Sequence, residues 1–94
     1  MKTDLPSNNQ KGDKMRIREQ LRGNKNICGA RIEALRKEKG LKQVDIIESL
    51  ALQGVDLNNS GLSKIEGQHR SINDYELLAI ANTLDVSIDF LLGR

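Results

Sequence analysis

The chain has 94 residues, a mass of 10.5 kDa and a formal net charge of +2, which is enough for one small domain and too short for two. Aromatic residues make up only 2%, which disfavours a β-sandwich, a β-barrel or an aromatic platform for single-stranded nucleic acid. One cysteine, Cys28, and one histidine, His69, rule out an internal disulfide and a Cys/His zinc site. No apolar run resembles a membrane span or a signal peptide, so we expect a cytoplasmic protein without a membrane partner.

Lysine and arginine are concentrated at the N-terminus. Residues 1–26 hold seven of them against three acidic residues, whereas residues 73–94 hold one against four. Because residues 1–26 also lack hydrophobic periodicity, we interpret them as a basic, disordered N-terminal arm and residues 27–94 as the folded domain. Such an arm can follow DNA or enter a minor groove, or it can be a solvated tail without a partner.

Hydrophobic periodicity predicts two helices after the arm. In the first, Cys28, Ile32 and Leu35 recur at helical spacing, and Gly40 provides a left-handed end. We interpret Cys28 as a small buried hydrophobe. The second helix begins near Lys42 and ends at Gly54, and its apolar residues are Ile46, Ile47 and Leu50.

Three further helices follow, each preceded by a residue typical of helix N-caps: Asn58, Asn73 and Ser87. The third is short and ends at Gly67, and the fourth has Glu76 as a capping-box partner of Asn73. No segment alternates with period two. The chain is therefore predicted to be all-α, a compact bundle of five short helices.

Three blocks of sequence resemble one known family. They read GARIEALRKEKGLKQ, LSKIEGQ and ELLAIANTLDVSIDFLLG, and they occur in the family's order. In these blocks the stretch from Ile27 to Gly93 resembles the Cro/C1-type (XRE-like) helix-turn-helix DNA-binding family, to which lambdoid phage repressors belong. The resemblance implies a five-helix bundle of the lambda-repressor-like type, whose third helix, about residues 58–66, lies in the major groove of DNA.

The resemblance also implies roles for individual side chains. The residues expected to contact base edges are Asn59, Ser60, Ser63 and Lys64. Those expected to contact phosphates are Lys42, Gln43, Asn58, Gln68, His69 and Arg70. A structural ion pair is expected between Arg36 and Glu66. The third helix suits the first role because Leu62 and Ile65 face inward and leave a polar face for the donor and acceptor pattern of the major groove. That polar face could equally be an ordinary solvated one.

The sequence departs from the family pattern in the helix-turn-helix region. The stretch ALQGVDLNN between the second and third helices is longer than the usual turn. Ile47 stands where the family usually has alanine, which implies wider helix spacing. Lys42 replaces the usual Ser or Thr N-cap, which weakens the cap and adds a cation near the expected phosphate path.

We predict a sequence-specific double-stranded DNA-binding transcriptional regulator, most simply a repressor, that acts as a homodimer. The alternative is a protein-interaction module of the same shape, such as an antitoxin or an accessory regulatory subunit. An enzyme is rejected because the sequence shows no nucleophile–base pair, metal cluster or phosphate-binding glycine loop. No cofactor, metal or small-molecule substrate is expected. Phe90, Leu91 and Leu92 are either core residues or a dimer contact.

Overall fold

The structure is a computed structural model and describes residues 16–18, 20 and 22–94. Most of the predicted basic arm, residues 1–15, 19 and 21, lies outside the described residues. Five helices and no strands occur in the part of the chain that is described, so the all-α prediction is confirmed. The helices are α1 (Gly29–Glu38), α2 (Gln43–Leu52), α3 (Asn59–Glu66), α4 (Asp74–Leu84) and α5 (Ile88–Leu92).

Side chains cap three helices as the sequence predicted. Asn58 Oδ1 accepts from the backbone N–H of Gly61 at 2.7 Å, and Ser87 Oγ accepts from that of Phe90 at 3.0 Å. Asn73 and Glu76 form the full capping box, in which each side chain accepts from the other's backbone N–H. These bonds satisfy N–H groups that have no partner within the helix, which fixes where each helix begins.

The core brings one apolar face of each helix together. α2 packs against α3 and α4, α1 packs against α3, and α5 covers α4. The residues with no exposed surface are Ile32, Ile46, Leu50, Leu62, Ile65, Ile80, Leu84 and Leu91. Cys28 is buried beside them, and burial raises the pKa of its thiol against the opposing effect of Arg31. The interpretation of Cys28 as a small core residue is confirmed.

The long connection between α2 and α3 is part of the packed structure. The backbone N–H of Val55 bonds to the Leu50 carbonyl at 2.9 Å, and Leu57 is buried in the core. A Cβ atom on Gly61 would lie 2.7 Å from Leu57 Cδ1, so the glycine makes room for the Leu57 side chain. The additional residues thus fold against the core and lead directly into the Asn58 cap.

The N-terminus of α1 lies against the C-terminus of α3 with no room for a side chain between them. A Cβ atom on Gly29 would lie 2.1 Å from the Ile65 carbonyl oxygen and 2.8 Å from that of Glu66, both far below a contact distance. Glycine at position 29 therefore sets how closely these two helices approach.

Part of the predicted arm is bonded to the helices. Asn26 Oδ1 accepts from the backbone N–H groups of Cys28 and Gly29, while its amide donates to the carbonyls of Ile65 and Arg70. Closer to the N-terminus, Arg18 pairs with Glu33 and donates to the Glu66 carbonyl. The packed structure therefore extends to the N-terminal side of residue 27. Hydrophobic periodicity does not reveal this, because the segment is held by polar side chains.

Candidate nucleic-acid interface

α3 has one buried face and one exposed face. Leu62 and Ile65 are completely buried, and Glu66 is buried at the end of the helix. The other face is exposed and consists of Asn59, Ser60, Ser63 and Lys64. The structure thus presents together, on one side of one helix, the four residues for which base contacts were expected.

The buried carboxylate of Glu66 fixes α3 to α1. Arg36 Nε donates to Glu66 Oε2 at 2.7 Å and Arg36 Nη2 donates to Oε1 at 3.0 Å, which is a bidentate pair. Arg36 also donates to the Leu41 carbonyl, which ties the same guanidinium to the loop before α2. The hydrogen bond to Glu66 raises the pKa of Arg36 despite its burial. The pair therefore connects α1, α3 and the loop before α2.

Gln43 connects the first turn of α2 to α3. Its Nε2 donates to Glu66 Oε1 at 3.2 Å, and its Oε1 accepts from Ser63 Oγ at 3.2 Å. The Ser63 hydroxyl proton is thereby used within the protein, so Ser63 faces outward as an acceptor. Any base or phosphate contact that Gln43 donates must therefore use the second N–H of its side-chain amide.

Two residues for which phosphate contacts were expected, Lys42 and Asn58, lie at the beginnings of α2 and α3. Lys42 is exposed and precedes α2, where Asp45 accepts its backbone N–H at 2.7 Å. The Asp45 carboxylate thus compensates for the missing Ser or Thr cap, but it adds a negative charge beside Lys42. Asn58 is exposed, and because Oδ1 caps α3, its Nδ2 is the group that can donate outward.

The structure does not support the phosphate contact that was expected of Gln68. It is only 1% exposed, has a left-handed backbone with φ of 66°, and donates from Nε2 to the Asn26 carbonyl at 3.1 Å. Its Oε1 accepts from Arg18 at 3.0 Å. A side chain buried and bonded in this way cannot reach a phosphate. Its function in the structure is to hold Arg18 and Asn26 against the end of α3.

His69 and Arg70 remain on the surface of the same loop. His69 is exposed and its ring lies against Gly67, where a Cβ atom would be 2.9 Å from His69 Cδ2. Arg70 is half-buried and donates to both carboxylate oxygens of Glu76 at 2.8 Å. The Arg70 hydrogen bond lowers the pKa of Glu76 below its usual range, against the effect of burial. Arg70 therefore anchors the loop to α4 whether or not it touches DNA.

Sequence reasoning missed Arg18, Asn26 and Gly29 as residues that position α3. One signal was available: Asn26 stands two residues before Cys28, the first residue of the apolar periodicity, and asparagine is typical of helix beginnings. Nothing in the local pattern identified Arg18 or Gly29, because their partners at the end of α3 and in the following loop are 36 to 50 residues away along the chain.

Comparison with known proteins identifies the class of protein. A family model for the helix-turn-helix domain of the Cro/C1 type matches residues 32–91, which is more than half of the chain. The protein belongs to this family of DNA-binding regulators, so the resemblance seen in the sequence is confirmed. Searches of curated proteins and of solved structures gave no match. None of the helices described is long and apolar enough to cross a bilayer.

Proposed function

We propose that this protein is a sequence-specific regulator of double-stranded DNA that places α3 in the major groove. The observation that carries the proposal is the division of α3 into an exposed polar face and an opposite face fixed by core packing and by Glu66. A reading helix needs this division, because base edges are distinguished only by donors and acceptors held in fixed positions.

The side chains on the exposed face differ in what they can read. An asparagine amide such as that of Asn59 can pair with adenine N6 and N7, and a lysine such as Lys64 donates to guanine O6 and N7. We assign a further base contact to the exposed Ser60 and the role of an acceptor to Ser63. We assign the surrounding phosphate contacts to Lys42, Gln43, Asn58, His69 and Arg70.

We further propose that two copies act together on a nearly palindromic site. A single helix of eight residues reads only a few base pairs, whereas a homodimer places two such helices about 34–36 Å apart, one turn of DNA. Leu91 is fully buried, Leu92 is half-buried against the core and Phe90 is partly exposed. Phe90 is therefore the member of this trio that we assign to a contact between copies. Occupation of a promoter by such a dimer would exclude polymerase, which is the repressor function.

Selection of bound duplexes from a random pool in about 0.1 M salt tests the proposal, because non-specific binding is weak under these conditions. Asn59→Ala and Lys64→Ala should each weaken binding to the selected duplex by about ten- to a hundredfold, the size of one good base contact. Asn82→Ala and Arg94→Ala are matched controls from other surfaces and should leave affinity unchanged. A selection that yields no preferred duplex, together with unchanged binding by the α3 variants, would disprove the proposal.

A protein-interaction module is the second candidate, because residues 27–94 hold ten acidic residues against eight lysines and arginines. This candidate predicts weak DNA binding without sequence preference and tight co-purification with one host protein. Size-exclusion chromatography of the native extract, with and without nuclease, distinguishes it from a DNA-bound homodimer.

A further inference from the structure

The segment of residues 22–26, here called the docked segment, is fixed to the loop that follows α3. The backbone N–H of Lys25 donates to the Gln68 carbonyl at 3.0 Å, and Asn26 Nδ2 donates to the Arg70 carbonyl at 2.8 Å. Both acceptors lie in residues 67–70, next to His69 and Arg70, for which phosphate contacts are proposed. The docked segment thus has a defined position beside the candidate interface, although the family model begins only at residue 32.

The ring of His69 makes the surface continuous between α3 and the docked segment. A Cβ atom on Gly67 would lie 2.9 Å from His69 Cδ2, and one on Gly23 would lie 2.8 Å from His69 Nδ1. The imidazole is therefore in contact with the C-terminal end of α3 on one side and with the docked segment on the other. His69 therefore joins the surface at the C-terminal end of α3 to the surface of the docked segment.

The exposed side chains of the docked segment are polar and cationic. Arg22, Asn24 and Lys25 are exposed, and Arg22 has a loose contact of 3.9 Å with Glu33. The carboxylates packed nearby have closer cationic partners. Glu33 is paired with Arg18, Glu66 with Arg36, and Glu76 with Arg70. Among the residues that the structure describes, no carboxylate pairs closely with Arg22 or Lys25, and both side chains are exposed.

From this arrangement we propose that Arg22 and Lys25 form, together with His69, a second phosphate-binding surface. This surface contacts the DNA backbone that flanks the bases read by α3. The inference rests on the proposed function, since it needs α3 to lie in the groove. Its ligand is the phosphodiester backbone of duplex DNA, and the contact is independent of base sequence because only charge and N–H donors are presented.

The test is the salt dependence of binding by Lys25→Gln and by the double variant Arg22→Gln/Lys25→Gln. Glutamine keeps the backbone N–H that bonds to Gln68, so the docked segment remains attached, and thermal unfolding checks this. Each lost phosphate contact should reduce the slope of log K against log salt by about 0.9. Affinity should fall by the same factor for the selected duplex and for a scrambled one. Arg94→Gln removes one positive charge, as Lys25→Gln does, and is the control for that variant. It should behave as wild type if the position of the charge, rather than the net charge, decides binding.

The possible outcomes separate this inference from the proposed function. If Asn59→Ala loses sequence preference while Lys25→Gln and the double variant match Arg94→Gln in affinity and slope, the second surface is wrong and the function stands. If no variant or duplex shows any preference, the proposed function itself fails. If the double variant keeps its sequence preference and its slope of log K against log salt is reduced by about 0.9 for each of the two lost contacts, the second surface is established.

Discussion

Glu66 at the end of α3 and Arg36 on α1 form a buried, bidentate ion pair with N–O distances of 2.7 and 3.0 Å. The same carboxylate also accepts from Gln43 on α2. One acidic side chain therefore fixes α3 relative to two other helices, at the C-terminal end of the helix that carries the exposed polar face. The orientation of the proposed reading helix depends on this pair as well as on apolar packing.

Removal of one member of this pair should be costly. Arg36→Ala leaves the Glu66 carboxylate buried without its guanidinium, so we expect a loss of about 3 kcal/mol in the free energy of unfolding, measured by urea titration. The double variant Arg36→Met/Glu66→Leu removes both charges and should recover much of that loss. A double variant no more stable than Arg36→Ala would contradict this prediction.

Asn26 should stabilise the protein more than an ordinary cap, because it also bonds to the end of α3. Asn26→Ala removes the acceptor for two N–H groups of α1 and the donor for the carbonyls of Ile65 and Arg70. We expect a loss of about 2 kcal/mol or more, from the cap and from the carbonyls left unpaired. Asn24→Ala, an exposed neighbour, is the control and should change the urea midpoint little. A loss at position 26 no larger than at position 24 would contradict the role of Asn26.

Two glycines on facing helices should respond differently to the same substitution. Gly29→Ala places a methyl group 2.1 Å from a backbone carbonyl and must push α1 away from α3, with an expected cost of about 3 kcal/mol or more. Gly61→Ala meets the flexible end of Leu57 at 2.7 Å and the side-chain oxygen of Asn58 at 3.2 Å, but no backbone atom, and the helix propensity of alanine offsets about 1 kcal/mol of the cost. Thermal unfolding of both variants should therefore rank Gly29→Ala as much the less stable. The reverse order would contradict the close helix approach.

The Arg70–Glu76 pair should make stability depend on pH in the acidic range. Arg70 lowers the folded-state pKa of Glu76 below the ordinary value of 4.5, so the unfolded chain takes up the proton first as the pH falls. The contribution of the pair is complete above that value and is lost as the pH falls through the lower folded pKa. The stability difference between wild type and Arg70→Gln should thus be constant near neutral pH and shrink as the pH falls below the ordinary value of 4.5. Urea unfolding at a series of pH values measures it, and a difference that does not vary with pH would contradict the prediction.

The sequence by itself determined the helices, their order and much of the candidate site. Apolar spacing and the caps at Asn58, Asn73 and Ser87 are local, since a helix begins where a side chain can satisfy its first N–H groups. The same locality explains why the inward direction of Leu62 and Ile65, and the outward direction of Asn59 and Lys64, followed from helical periodicity alone.

Only the tertiary structure decided which polar residues are buried and how the N-terminal segment is held. Gln68 looks like a surface residue in a polar loop, yet it is buried because Arg18 and Asn26 satisfy its amide from residues distant in the chain. Gly29 shows no special feature in sequence, and its role depends on a carbonyl of Ile65 in another helix. Such contacts leave no periodic pattern, because a single hydrogen bond or a single close approach constrains one position and not its neighbours.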